Sequence, residues 1–130
     1  MWQYIDNFYI TDVKPKILEK CEEVHTLLQK SCWASDRTIA VTRRALEKSL
    51  NFGIFETASD KLVGYARIVT DYATMYYLCD VCIDEAYHGL GLSEALLQWI
   101  CIDEDKLTGL DGYMNPTEAQ VLYESGSLKL

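Results

Sequence analysis

The chain has 130 residues, of which 20 are Asp or Glu and 12 are Lys or Arg, giving a formal net charge of −8 with both histidines neutral. That length suits a single domain spanning residues 1–130, with roughly two-thirds of the unfolded surface buried, and a composition 49% apolar and 12% aromatic excludes disorder for the bulk of it. Phosphate-backbone affinity is built from Lys and Arg, so the charge argues against nucleic acid and anionic membranes as main partners, although backbone N–H groups can still supply a local phosphate site.

Residues 4–10 alternate partly and carry β-formers, which predicts a strand. Thr11 and Asp12 then offer an N-cap, Pro15 sits in the first turn, and Ile17, Leu18, Cys21, Val24, Leu27 and Leu28 recur at helical spacing, predicting one helix over 14–30. His25 falls among these apolar positions as a boundary residue without chemistry. After a loop over 31–37, a second helix is predicted over 39–49, with Val41, Ala45 and Leu46 on its buried stripe. Three β-rich runs follow at 52–57, 62–70 and 74–83, joined by turns at 58–61 and 71–73. Arg67 and Asp71 share strand parity and are expected to pair. Strands in succession without helices between them indicate an antiparallel meander. Residues 92–102 then read as a helix with Ala95, Leu96, Trp99 and Ile100 on one face, Asp103, Glu104 and Asp105 as its solvated end, 111–114 as a short strand and 117–124 as a last helix. The order β-α-α-β-β-β-α-β-α defines an α+β, or mixed α/β, fold.

Five cysteines, Cys21, Cys32, Cys79, Cys82 and Cys101, form neither an even disulfide set nor a paired zinc pattern, so reduced thiols, a cytoplasmic location and no metal are expected. Cys79 and Cys82 lie three apart in a predicted strand, where they point to opposite faces, which argues against dithiol chemistry. The amino terminus has no basic region followed by an apolar run, and no segment approaches the ~20 apolar residues of a membrane span, so an unprocessed protein with no membrane partner is expected.

The stretch that carries chemistry runs from Asp80 through Val81, Cys82 and Ile83 to His88, Gly89, Leu90, Gly91, Leu92 and Ser93. An apolar strand ends in an acidic turn, and a Gly-x-Gly loop opens an amphipathic helix. Glycines there let a ligand approach the backbone, and the helix's first N–H groups favour an anion such as a diphosphate; a tight turn explains the same pattern equally well. A P-loop is excluded because Gly91 is followed by Leu92-Ser93 rather than Lys, and a Rossmann fingerprint because its third glycine position is Glu94.

The segment from His88 to Ser93, following a strand and preceding a helix, resembles motif A of the GNAT superfamily of N-acetyltransferases, Gln/Arg-x-x-Gly-x-Gly/Ala. Trp33-Ala34 with Arg37, Phe52-Gly53, residues 63–71 with Ala73-Thr74, and residues 118–124 extend the resemblance to small single-domain bacterial members over roughly residues 5–128. The resemblance implies a GNAT-like acyl-CoA N-acyltransferase fold, a mostly antiparallel sheet flanked by helices, and acetyl transfer from acetyl-CoA to an amine of a small acceptor. It implies that Val81, Cys82 and Ile83 hold the pantetheine arm, that His88, Gly89, Gly91, Leu92 and Ser93 wrap the pyrophosphate, and that Tyr123 protonates the departing thiolate. Trp33, Tyr72 and Asp80 are candidates for the acceptor side, with Asp80 and Asp71 as candidate bases. Four departures stand against the pattern: His88 for Gln/Arg, Ser93 for Gly/Ala, Glu94 in place of a basic residue, and a chain that stops soon after Tyr123-Glu124 with the final strand short or missing. An open sheet edge recruits partners, so the acceptor side is expected to be completed by a second copy in a homodimer or left open. The alternative from another class is a non-catalytic GNAT-like domain that binds acyl-CoA weakly or serves as an interaction module.

Overall fold

The computed structural model describes residues 2–30 and 36–124, with residues 102 and 103 described by their backbone alone. Its sheet follows chain order: β1 (Trp2–Ile5), β2 (Phe8–Thr11), β3 (Leu50–Glu56), β4 (Leu62–Thr70), β5 (Met75–Ile83) and β6 (Asp111–Met114). Every neighbouring pair is antiparallel except β5 and β6, which run parallel from Met75↔Asp111 to Leu78↔Met114. The expected meander is therefore β3 to β5. The strand expected over 4–10 is instead a hairpin, because Asp6 takes a φ of 50° and, with Asn7, reverses the chain. Asp and Asn tolerate that region better than other side chains.

The helix expected over 14–30 is two helices, α1 (Lys14–Leu18) and α2 (Cys21–Gln29). They part where Lys20 N–H donates to the Ile17 carbonyl at 3.0 Å, a tighter turn than the α-helical one. Ile17, Cys21, Val24 and Leu28 stay buried across the break, so hydrophobic spacing does not register it. In α3 (Ile39–Lys48) the buried positions are Thr42 and Leu46, whereas Val41, expected inside, is 47% exposed. Thr42 is occupied with His25, whose Nδ1 lies 2.8 Å from its hydroxyl and ties α2 to α3.

Helices cover both faces. On one, Ile17, Val24, Leu28 and Leu46 of α1 to α3 pack against Tyr9, Phe55 and Tyr65. On the other, α4 (Leu92–Gln98), a π-helical turn over Trp99–Asp103 and α5 (Pro116–Glu124) bring Leu96, Trp99, Ile100 and Leu122 against Phe52, Ile54, Ala66 and Leu78. Glu104, expected at a solvated helix end, is 1% exposed, because its carboxylate turns in to accept from Lys106 N–H and opens the next turn.

β4 and β5 change register between Arg67↔Cys79 and Tyr65↔Cys82, so Asp80 and Val81 together oppose Ala66. This is a β-bulge, and Asp80 takes a φ of 55° within it. Cys79 and Cys82 thus pair with two β4 residues of the same parity and share a face, correcting the opposite faces that spacing implied. Burial pushes the Cys79 thiol up to about 11 and raises Cys82 as well, so both resist becoming thiolates near neutral pH.

The Asp80 carboxylate is clamped. Arg37 donates to both its oxygens, Nη1 to Oδ2 at 2.6 Å and Nη2 to Oδ1 at 3.0 Å, and Arg67 Nε donates to Oδ2 at 2.8 Å. Burial acts to raise the acid's pKa, but the hydrogen bonds from the two guanidinium groups outweigh it and hold the carboxyl below its ordinary value. Arg67 therefore pairs with Asp80 and not with Asp71, which closes the β4–β5 turn by accepting from Ala73 and Thr74 N–H at 2.9 and 2.8 Å. Asp80→Asn is expected to destabilise the fold by about 2–3 kcal/mol, less than breaking a fully buried pair because both arginines keep some contact with water. The check is the urea midpoint at constant m-value; an unmoved midpoint would remove this triad from the stability of the sheet.

Candidate functional site

A cavity of about 710 Å3 opens where β5 ends. Val81, Cys82 and Ile83 form its strand wall, His88, Gly89, Gly91, Leu92 and Ser93 its loop wall, and Leu27, Lys30, Val121 and Leu122 reach it from α2 and α5. The eight residues expected to hold a cofactor thus line one cavity. Local sequence explains the path. Asp84 Oδ1 accepts from Ala86 N–H at 3.0 Å and starts a 3-10 turn over Glu85–Tyr87, after which Gly89 and Gly91 take φ values of 82° and 76°. A Cβ added at either glycine would meet nothing within 4 Å, so the left-handed backbone, not crowding, calls for glycine there, and the main chain lies bare toward the cavity.

The wall carries little positive charge. Lys30 and His88 stand against Glu85 and Glu94. His88 Nε2–H donates to the Ile83 carbonyl at 2.9 Å, which leaves Nδ1 of a neutral ring as an acceptor rather than a donor.

A second cavity, of about 570 Å3, is lined by Arg37, Arg67, Tyr77, Asp80, Thr117 and Glu118, among others. One hydrogen bond links the two walls: Val81 N–H, from the larger, donates to Glu118 Oε1, on the smaller, at 2.8 Å. Glu118 is 4% exposed. Burial is the main reason its carboxyl is pushed up to about 6; Asp80 adds to the rise, and the Val81 N–H, Arg37 and Arg67 oppose it. Glu118 is not among the site residues expected from the sequence; Asn115-Pro116-Thr117-Glu118 fits a capping box, in which the acid would serve its own helix. Asn115 does cap α5, accepting from Thr117 N–H at 2.8 Å, but Glu118 turns to the sheet.

Asp80 lies on the second cavity, saturated by arginine. Tyr72 sits in the β4–β5 turn, 55% exposed with a φ of 60°, and lines neither cavity. Tyr123 is 50% exposed, next to Leu122 of the larger wall and outside both linings. Trp33 and the end of the chain expected to hold the short final strand lie outside the described residues. Among the described residues, no cluster of three or more His, Cys, Asp or Glu is placed to hold a metal ion, and no helix is long and apolar enough to cross a membrane.

Residues 48–126 match the family model described as the acetyltransferase (GNAT) domain. Among solved structures, the chain is similar to a protein of Xanthomonas campestris pv. campestris described as belonging to the GNAT family, with 30% identity and a TM-score of 0.78 over 95% of this chain and 84% of that one. Two further structures share the fold: glucosamine-6-phosphate N-acetyltransferase from Arabidopsis thaliana, with 17% identity and a TM-score of 0.65 over 95% and 92% of the two chains, and ribosomal-protein-alanine N-acetyltransferase from Brucella melitensis, with 15% and 0.65 over 95% and 91%. No curated protein matches the sequence. The family model covers more than half of the chain, and the chain belongs to the GNAT family.

Proposed function

We propose that the protein transfers an acetyl group from acetyl-CoA to the primary amine of a small acceptor. The observation that carries this reading is the single cavity wall running from Val81–Ile83 to His88–Ser93, with uncovered backbone at two left-handed glycines. Acetyl-CoA supplies an activated thioester on a diphosphate-bearing carrier. Main-chain groups of Val81, Cys82 and Ile83 would hold its arm, and the N–H groups of the glycine turn and the start of α4 its diphosphate. Lys30 is the lysine on that wall. The smaller cavity, beyond the Val81–Glu118 contact, is assigned to the acceptor. Tyr123 is assigned the proton given to the departing sulfur: a phenol near pKa ~10 can donate to a thiolate whose own acid lies near ~8.5 when the two are aligned.

A second reading, a non-catalytic domain that binds acyl-CoA weakly, is favoured by Glu85 and Glu94 on the wall and by the commitment of His88 to Ile83. Calorimetric titration with acetyl-CoA and with CoA separates the outcomes. Saturable heat well below millimolar ligand is expected, and no heat at millimolar ligand overturns both readings. With binding in hand, Tyr123→Phe is expected to lower kcat by about 10–100-fold while leaving acetyl-CoA affinity nearly unchanged. An unaltered rate removes Tyr123 from the mechanism.

A further inference from the structure

The acceptor of an acetyl group must lose a proton before it attacks, since an alkylammonium has no lone pair. Neither acid expected to take that proton is suited to it. Asp80 receives three hydrogen bonds from Arg37 and Arg67 and is held below the usual carboxylate range. Asp71 caps a surface turn with four bonds from Ala73, Thr74 and Met75, and lines neither cavity. Of the two carboxylates on the smaller cavity, that leaves Glu118, which bonds no arginine and meets the larger cavity through the Val81 N–H.

We propose that Glu118 is the group that accepts the proton of the acceptor amine. The inference rests on the acetyltransferase reading above. The amide that Glu118 holds in this structure is one of those assigned to the acetyl-CoA arm, so filling of the larger cavity releases the carboxylate into the smaller one. The step balances as follows. Glu118 takes one proton from R–NH3+, and the freed lone pair forms the C–N bond as the C–S bond of the thioester breaks. The second nitrogen proton replaces the one that Tyr123 gives to the sulfur, leaving amide, thiol and a proton that Glu118 returns to water.

The charged and titratable groups that share the second cavity with Glu118 are Arg37, Arg67, Tyr77, Asp80 and Cys79, and Cys82 stands near it on β5. The guanidinium groups stay protonated, Asp80 titrates low and the two thiols high, and comparison with Glu118→Gln assigns a transition near pH 6 at this point. Two measurements test the proposal. In the protein alone, the Val81 amide resonance is expected to titrate with a midpoint near 6 and to become flat in Glu118→Gln; a flat wild-type resonance overturns the proposal. In the acetyl-CoA complex, two small nucleophiles are compared: methylamine, protonated near neutral pH, and hydroxylamine, largely neutral there. Glu118→Gln is expected to lower transfer to methylamine by about 100-fold or more, with loss of the acid limb of the pH–rate profile, while transfer to hydroxylamine falls far less. An equal fall for both, or an intact acid limb, overturns the base role. Calorimetry on the variant shows whether acetyl-CoA still binds; failure of the wild type to bind it would instead sink the acetyltransferase reading.

Discussion

One extra residue in β5, placed where Asp80 and Val81 together face Ala66, separates a regular sheet from a working surface. Before it, β5 pairs with β6 as far as Leu78; beyond it, the strand runs on to Ile83 without β6 alongside and becomes the wall of a cavity. A bulge of this kind needs a residue that tolerates φ near 55°, and it leaves an amide outside the ladder. Both needs are met in sequence. Asp80 takes the strained conformation, and its carboxylate is neutralised by Arg67 from β4 and Arg37 from the segment before α3. The Val81 amide is met by Glu118 from α5. Three residues from three parts of the chain, Arg37, Arg67 and Glu118, therefore converge on two adjacent positions.

The distribution of charge follows a different rule on each side of that point. The molecule as a whole carries −8, and the larger cavity inherits the bias, with Glu85 and Glu94 on a wall where Lys30 is the only lysine among the described residues. An anion there must be met by main-chain N–H groups, which carry partial positive charge without a side chain. The smaller cavity is balanced, with Arg37 and Arg67 against Asp80 and Glu118. Its arginines are spent on Asp80, so Glu118 faces the cavity as the carboxylate least satisfied by cations.

Features that depend on local spacing were legible in the sequence. The strand over Leu62–Thr70 and the short strand over Asp111–Met114 fall where alternation and turn residues place them, and the glycine loop from His88 to Ser93 opens a helix as its composition suggests. What escaped depends on contacts between distant residues. The α1–α2 break preserves the helical spacing of Ile17, Cys21 and Val24, so no pattern records it. The bulge changes the facing of Cys79 and Cys82 without leaving a glycine as a marker, because Asp80 occupies the left-handed position itself. Arg67 paired with Asp80 rather than Asp71 because that bulge and the approach of Arg37, 43 residues away, are invisible to strand parity. Glu118 carries no local signal of its contact, because its partner, the Val81 amide, lies 37 residues away.

The choice of residue at position 118 can be weighed against the alternatives. Glu118 and Leu122 lie one helical turn apart on the buried face of α5, and an apolar residue at 118 would extend that face. It would also leave the Val81 amide buried without a partner, at a cost of about 1–3 kcal/mol. A glutamine would satisfy the amide through its carbonyl and avoid burying a charge, so by packing and hydrogen bonding alone it is the better residue. A carboxylate at this place is a position of poorer stability whose proton affinity has been moved toward the neutral range by burial and by Asp80. Strain of that kind, carried by a group that links the walls of two cavities, is the feature on which the proton transfer proposed for Glu118 rests.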